Sequence, residues 1–322
     1  MAKHVETESD PAARAEAVTA VAPDSAVGVS VTYPHLAPEI QARAALPDAD
    51  RIALIRRGLV IEHPALQQAL DYAAWLLSHP GGNLGRGMLL MGDSGSGKTT
   101  FGELLRATRS GGANGAGRLV MIDASGARTM REVYGRILQD LDGPVGRSTH
   151  TPDRELAVVR LLRALEVPAL VVDEVQSIAE GSAKEQRRVL DGLKYLMNIA
   201  RIPLLCLGAL ESERALVTDR HLAQRLAVFR LTPWRVDQGF VDFLASVQAG
   251  LPLRKPSQLL NEAVVRHLVE MSGGNLRPIM SVIASAAVRS ILSGAECLTL
   301  KELQAATVVP SPSEYERLSH AK

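Results

Sequence analysis

The sequence predicts an α/β chain: a five-stranded parallel sheet with helices on both faces, followed by a small all-helical unit. Three observations predict it. Residues 87–91, 119–123, 169–174 and 203–208 are short, continuously apolar runs, the pattern of strands buried on both faces. A glycine-rich loop, GDSGSGKTT at 92–100, joins the first of these runs to a helical stretch over 101–109. Beyond Trp234 no strand pattern recurs, and residues 236–248, 257–271, 276–292 and 299–306 all read as helices.

Taken in order, residues 1–31 are rich in Ala, Glu, Asp, Ser and Thr and poor in large apolar groups, the composition of a disordered leader. Pro34, Pro38 and Pro47 then suggest an extended arm, so that residues 1–50 form leader and arm together. Order is expected from Arg51, where residues 51–57 read as an amphipathic basic turn or short helix. Pro64 suits the first turn of a helix whose Leu66, Leu70, Ala73, Ala74 and Leu77 recur at helical spacing. The His-Pro-Gly-Gly-Asn run at 79–83 breaks it before the first strand. After the loop helix come a glycine-rich stretch (110–117), the second strand, and a helix to residue 141 that the Thr129 hydroxyl can cap. Gly143, Pro144 and Gly146 mark a flexible segment, and residues 152–165 a helix. The 169–174 strand ends in two carboxylates; a helix over 184–200, the 203–208 strand and a short strand at 228–231 complete the sheet. The expected units are thus an α/β unit over 51–234, a helical unit over 235–307 and a polar, flexible tail over 308–322.

Bulk properties bound the reading. The chain has 322 residues, enough for a substantial core, but only 3% are aromatic, so that core must be Leu, Val, Ile and Ala. The formal net charge of +1 gives no global positive field, so any contact with nucleic acid must use a local patch. Two cysteines, Cys206 and Cys297, form no disulfide framework, which suits a reducing cytoplasm; Cys206 lies in an apolar run where an inert buried thiol is expected. No stretch reads as long and apolar enough to span a bilayer, so no membrane partner is expected.

The loop carries the chemistry. It fits G-x-x-x-x-G-K-[ST], with Gly92, Gly97, Lys98 and Thr99 at the defining positions. Its glycines let the backbone turn so that N–H groups face a phosphate chain, which places Gly92, Asp93, Ser94, Gly95, Ser96, Gly97, Lys98, Thr99 and Thr100 around a nucleoside triphosphate. Lys98 would reach the β- and γ-phosphates, the Thr99 hydroxyl would ligate Mg²⁺, and the helix N-terminus adds partial positive charge. Asp173, at the C-terminal end of a parallel strand, faces the ligand crevice and can share the metal. Glu174 beside it is placed to polarise a water for attack on the γ-phosphate, and that second carboxylate favours an ATPase. Arg225, with Arg220 and Arg230 nearby, sits just before the last strand, as a surface ion pair or as an arginine reaching a neighbouring subunit's phosphate. Arg277 opens a helix of the helical unit, as a structural arginine or as a phosphate contact across the crevice. Arg128 and Arg131, with Lys184, Arg187, Arg188 and Lys194 on the next long helix, are candidates for DNA phosphate contact or ordinary solvated faces.

These features in this order resemble an AAA+ ATPase, and more narrowly the TniB family of transposition ATPases, relatives of TnsC and MuB. The resemblance rests on Ile61-Glu62-His63-Pro64, GDSGSGKTT, ALVVDEVQSI at 169–178, and the helix containing Leu193-Lys194-Tyr195-Leu196-Met197-Asn198. It continues through IPLLCLGALE at 202–211, DRHLAQRL at 219–226 with Trp234 after it, and GGNLRP at 273–278. It implies that Lys98 and Thr99 bind ATP and Mg²⁺, that Asp173 and Glu174 serve metal and water, that Arg225 acts in trans and that Arg277 is a sensor arginine in a lid. It further implies a ring or helical filament on duplex DNA, sequence-tolerant, that recruits or activates a DDE transposase and is reset by hydrolysis. A TniQ-like targeting protein is a further expected partner, and a cytoplasmic protein, on the nucleoid when DNA-bound, the expected setting. One departure stands out. Ala209 occupies a position where such ATPases carry a polar residue for the attacking water, so either Glu211 or Ser212 substitutes or hydrolysis is slow. The rival expectation is a signalling or assembly ATPase that acts on protein partners without DNA. A replication-initiator-type ATPase calls for a winged-helix domain after the lid, and none is expected here.

Overall fold

The computed structural model describes residues 32–78, 86–108, 117–144, 150–217 and 219–306. The expected leader (1–31), the break at 79–83, most of the 110–117 stretch and the tail (308–322) lie outside them.

The arm expected to be extended is helical instead. Helix α1 (Pro38–Ala44) occupies it, and the short helix expected over 51–57 is present as α2 (Asp48–Arg57), which begins within the arm. The prolines that suggest extension sit where a helix accepts them, Pro38 opening α1 and Pro47 at the N-cap of α2. Both helices have something to bury. Ile40 and Ala44 pack with Leu36, while Ile52 and Ile55 enter the core of the C-terminal helices. Helix α3 (Pro64–Ser78) follows, and then β1 (Gly87–Gly92), α4 (Lys98–Ala107) and β2 (Val120–Asp123).

Helix α5 (Met130–Asp140) starts at a capping box: Glu132 N–H donates to Thr129 Oγ1, and the Glu132 carboxylate accepts from Thr129 N–H. Helix α6 (Thr151–Ala164), β3 (Leu170–Asp173) and a 3-10 turn (Val175–Glu180) lead to α7 (Ala183–Ala200), whose box is Ser182 with Glu185. Then come β4 (Leu204–Gly208), two short helices, α8 (Ser212–Val217) and α9 (Arg220–Ala223), and β5 (Leu226–Leu231).

The strands form one parallel sheet in the order β2-β3-β4-β1-β5. Alternate residues serve opposite faces, as the two-residue pleat demands. Leu89, Met91, Val120, Ile122, Leu170, Val172, Leu204 and Cys206 pack under α5, α6 and α7. Met88, Leu90, Val171, Leu205 and Leu207 pack under α3 and α4. Cys206 is buried, which pushes its thiol up to about 12 and leaves it inert, as expected.

After Trp234 the chain is helical: α10 (Gln238–Gly250), α11 (Glu262–Ser272), α12 (Leu276–Ser293) and α13 (Leu300–Gln304) surround a core of their own. The expectation that no stretch suits a bilayer needs one correction. Helix α12 is long and apolar enough by length and composition, with mean hydropathy 1.3 over 18 residues. Its apolarity has an internal cause: half of it is buried, as the central helix of this bundle.

Candidate functional site

A parallel sheet opens all its strand C-termini along one edge, and the order of these strands decides what meets there. Because β4 lies between β1 and β3, the loop after β1, the end of β4, and Asp173 with Glu174 stand side by side. Asp123, at the end of β2 and in register with Asp173, adds a third carboxylate that the sequence reading did not single out.

The loop over 93–97 turns with Gly95 at φ 81°, a conformation a side chain would strain. Space makes the same demand: a Cβ there would lie 2.7 Å from Arg277 Cβ. The helical unit sits directly on the loop. Asn275 Nδ2 donates to Ser94 O at 2.7 Å, and Arg277 N–H donates to Gly95 O at 3.1 Å. The geometry thus sets Arg277 against the loop, a position that fits either of its two readings. Its guanidinium is near enough to work against the charge on Lys98.

Lys98, 7% exposed, donates to Gly92 O at 2.7 Å and Asp93 O at 2.9 Å. Burial holds its pKa below the ordinary lysine value against the pull of Glu174, Asp173 and Asp93. Asp173 is held above the ordinary carboxylate value, first by burial and then by the charges of Glu174 and Asp123, although Glu174 N–H and Lys98 pull it down. Crowded carboxylates beside a phosphate loop suit a divalent cation, and the Thr99 hydroxyl and Asp173 are the oxygens that could hold one. Among the described residues no cluster of three or more His, Cys, Asp or Glu forms a metal cage. Mg²⁺ does not need one, since it takes few protein oxygens and completes its shell with phosphates and water.

Glu174 stands at φ 52°, left-handed for a non-glycine residue, at the turn between β3 and the 3-10 helix. Its Oε2 accepts from Gln176 Nε2 at 2.5 Å. Ser212, named as a substitute for a polar residue at 209, is fully buried, and its hydroxyl also goes to Gln176; Glu211 is exposed.

Arg225 lies at the other edge of the sheet. Its carbonyl accepts from Gly87 N–H at 2.9 Å, at the start of β1, and its guanidinium donates to Asn198 Oδ1 at 2.9 Å. The length of β1, roughly 17 Å, separates it from its own loop. Arg230 is taken up in a surface pair with Glu213 at 2.8 Å, whereas Arg220 is exposed.

The basic candidates divide. Lys194 is engaged by Asp219 and by Asp191 at 2.8 Å, which leaves it poorly placed for a phosphate. Arg128, Lys184, Arg187 and Arg188 are exposed, and Arg128 and Arg188 both act on Glu185, so the starts of α5 and α7 lie together. Arg131 is exposed one turn further along α5.

Beside the loop a small apolar recess is lined by Leu59, Ile61, Thr100, Phe243, Leu276 and Met280. His63 borders it, edge-on to Trp234 at 5.1 Å and Phe243 at 6.1 Å between ring centres. Burial holds the imidazole below its ordinary pKa. An apolar slot next to a phosphate loop is the shape of a base site. Asn275 and the recess residues Ile61 and His63 lie in the runs GGNLRP and Ile61-Glu62-His63-Pro64, but their meeting with the loop appears only where the helical unit meets the sheet.

The family described as bacterial TniB protein matches residues 51–236. No curated protein matches the chain. Among solved structures, the ORC2 protein of Aeropyrum pernix, in ADPNP-ADP complexes, superposes with TM-score 0.54 at 17% identity over 79% of this chain and 70% of its own. Cdc6p of Pyrobaculum aerophilum gives 0.54 at 19%, over 77% and 67%. The ORC1 protein of Aeropyrum pernix, solved with DNA, gives 0.54 at 18%, over 76% and 65%. At these identities the likeness is one of fold, that of AAA+ ATPases: the five-stranded parallel sheet with helices and a helical region after it.

Proposed function

We propose that this chain, which belongs to the TniB family and is an AAA+ ATPase, is an ATP-dependent DNA-binding regulator of transposition. It oligomerises on duplex DNA in its ATP form, recruits or activates a DDE transposase, with a TniQ-like protein as a further partner, and comes apart on hydrolysis. Its setting is the cytoplasm, and the nucleoid when DNA-bound. The observation that carries the reading is the split between the two edges of the sheet. Lys98, Asp173, Glu174 and Arg277 gather at one edge, and Arg225 lies at the other. An ATP site that uses Arg225 needs a second copy, so nucleotide would join neighbours and its cleavage would loosen them.

In this reading the units are 51–234 for nucleotide and 235–307 for the lid, although α2 at the start of the first packs on the core of the second. Loop N–H groups and Lys98 hold the phosphates, and the apolar recess takes the base. Mg²⁺ would be held by Thr99 and Asp173 and would supply charge neutralisation across the β- and γ-phosphates. Glu174 accepts a hydrogen bond from the attacking water and aligns it. Arg277 from the lid and Arg225 from the neighbour meet the charge that develops on the γ-phosphate. Arg128, Arg131, Lys184 and Arg188 supply a local basic patch for DNA phosphates, which a net charge of +1 permits only locally. Family membership and a neighbour solved with DNA support the DNA step.

Negative-stain imaging of the full chain with duplex DNA, with and without a slowly hydrolysed ATP analogue, tests this. Rings or filaments on DNA that need the nucleotide are expected, and Lys98→Ala should form none. DNA-free particles in both conditions would sink the reading in favour of an ATPase acting on protein partners.

A further inference from the structure

Gln176 lies in the apolar-acidic ALVVDEVQSI run but has no role in the chemistry described so far. Its amide makes three hydrogen bonds. The oxygen accepts from Ala209 N–H at 3.0 Å and from Ser212 Oγ at 3.2 Å, while the nitrogen donates to Glu174 Oε2 at 2.5 Å. Only one orientation of the amide serves this arrangement. A backbone N–H can be met by the carbonyl oxygen alone, which leaves the NH₂ to face the carboxylate. The surroundings are fitted to it: a Cβ on Gly208 would collide with both Ser212 Oγ and Gln176 Oε1.

The partners matter as much as the bonds. Ala209 follows β4, between the phosphate loop and Glu174, where its methyl group can hold no water. Glu174 itself stands in a left-handed conformation that its surroundings must maintain. We infer that Gln176 is a positioning residue, a strut from the end of β4 and the start of α8 that holds the Glu174 carboxylate for hydrolysis and stands in for the missing side chain at 209. This rests on the reading of Glu174 as the group that aligns water. Gln176 leaves Oε1 of Glu174 for that water, and its own amide is taken up by Glu174, Ala209 and Ser212 rather than by the phosphate loop. Its removal therefore acts on turnover and spares nucleotide binding. Because Ser212 opens α8, which leads through α9 to Arg225, the strut also ties Glu174 to the segment proposed to meet the neighbouring protomer.

The test compares the full-length wild type with Gln176→Leu and Ser212→Ala, with and without duplex DNA. It follows ATP cleavage in single turnover and binding of a fluorescent ATP analogue. Gln176→Leu should lower the cleavage rate at least ten-fold, the scale of a misplaced catalytic group, with analogue affinity unchanged and a lower melting temperature, because the Ala209 N–H and the buried Ser212 hydroxyl lose their acceptor. Ser212→Ala, which keeps the strut but loses one bond, should lose about three- to ten-fold, and it carries the test if the leucine variant does not fold. In a Glu174→Gln background, Gln176→Leu should cost nothing further, a non-additivity that a merely structural role would not produce. Wild-type turnover with a Gln176→Leu rate within two-fold, or faster, overturns the strut alone, as do additive losses. Absence of turnover in the wild type under both conditions overturns the hydrolytic reading of Glu174 and the strut with it.

Discussion

Two residues, Gly95 in the loop and Asp173 at the end of β3, are held in conformations or environments that cost stability. Gly95 meets a backbone demand and a space demand at once, φ 81° and a lid side chain 2.7 Å from where a Cβ would be. Gly95→Ala should therefore cost roughly 1–3 kcal/mol in chemical denaturation and also push the lid off the loop. Wild-type affinity for an ATP analogue in this variant would show that the lid contact is dispensable. Asp173 is strained differently. Its folded pKa is raised above 3.8, by burial first and then by Glu174 and Asp123. Ionising it thus costs folding stability, a cost that is complete above the folded value and fades as pH falls from there to the unfolded value. Asp173→Asn should accordingly melt higher than wild type at pH 7, without nucleotide, and the gain should vanish near pH 3. The same variant should lose Mg²⁺-dependent nucleotide affinity. A lower melting temperature at pH 7 would mean that Asp173 is a structural hydrogen-bond acceptor first.

Among the elements, α1 and α2 have the least expected placement. Arg51 of α2 is fully buried and reaches Glu296, at the end of the C-terminal bundle, through two bonds of 2.8 and 2.7 Å, with Asp48 at 2.7 Å and Pro252 O at 3.1 Å. Arg254 adds bonds to Ala44 O and Leu46 O, both 3.1 Å. The N-terminal helices are thus pinned to the helical unit rather than to the sheet. Breaking a buried pair from one side leaves a charge uncompensated, so Arg51→Ala should cost on the order of 3–5 kcal/mol at pH 7. Burial raises the Glu296 pKa, but the Arg51 bonds, Arg254 N–H and both positive charges outweigh it and hold it below 4.5. Its contribution is complete above the unfolded value and is lost as pH falls through the folded one. The gap between wild type and Arg51→Ala should therefore narrow below pH 4.5, and a gap that stays constant to pH 3 would remove this pair from the acid limb. This pairing also marks what sequence could not supply. The sheet was legible because each strand is a short apolar run and its helices carry caps such as Thr129 with Glu132. The arm was misread because prolines that open helices look like prolines in extended chain until Ile40 and Ala44 have Leu36 to pack on. Gln176 and the recess near His63 are meetings of segments far apart in sequence, with no local periodicity to announce them.

At the scale of the whole molecule, Arg225 and the loop that holds Lys98 lie at opposite ends of the strands of one protomer. Arg225 is anchored to Gly87 and Asn198 at the edge of the sheet where strands begin, while Lys98 and Glu174 stand where strands end. No side chain spans that distance, and rotation of the lid does not shorten it, because β1 runs rigidly between the two. If Arg225 acts on ATP, it acts on a neighbour's, and that geometry has a consequence mutants can expose. Arg225→Ala keeps a complete loop but offers no arginine to the next copy. Glu174→Gln keeps the arginine but cannot align water, and alone it should remain on DNA as an ATP-bound assembly that does not disperse. Each variant should by itself retain only slow, residual cleavage. Mixed in equal amounts on duplex DNA, about a quarter of the interfaces would pair an intact site with an intact arginine, as random placement in a head-to-tail assembly gives. Turnover should return in the mixture to a comparable fraction of wild type, and only when the assembly forms. A mixture as slow as its parts, with assemblies visible by imaging, would make Arg225 a structural residue that ties the start of β5 to α7 through Asn198.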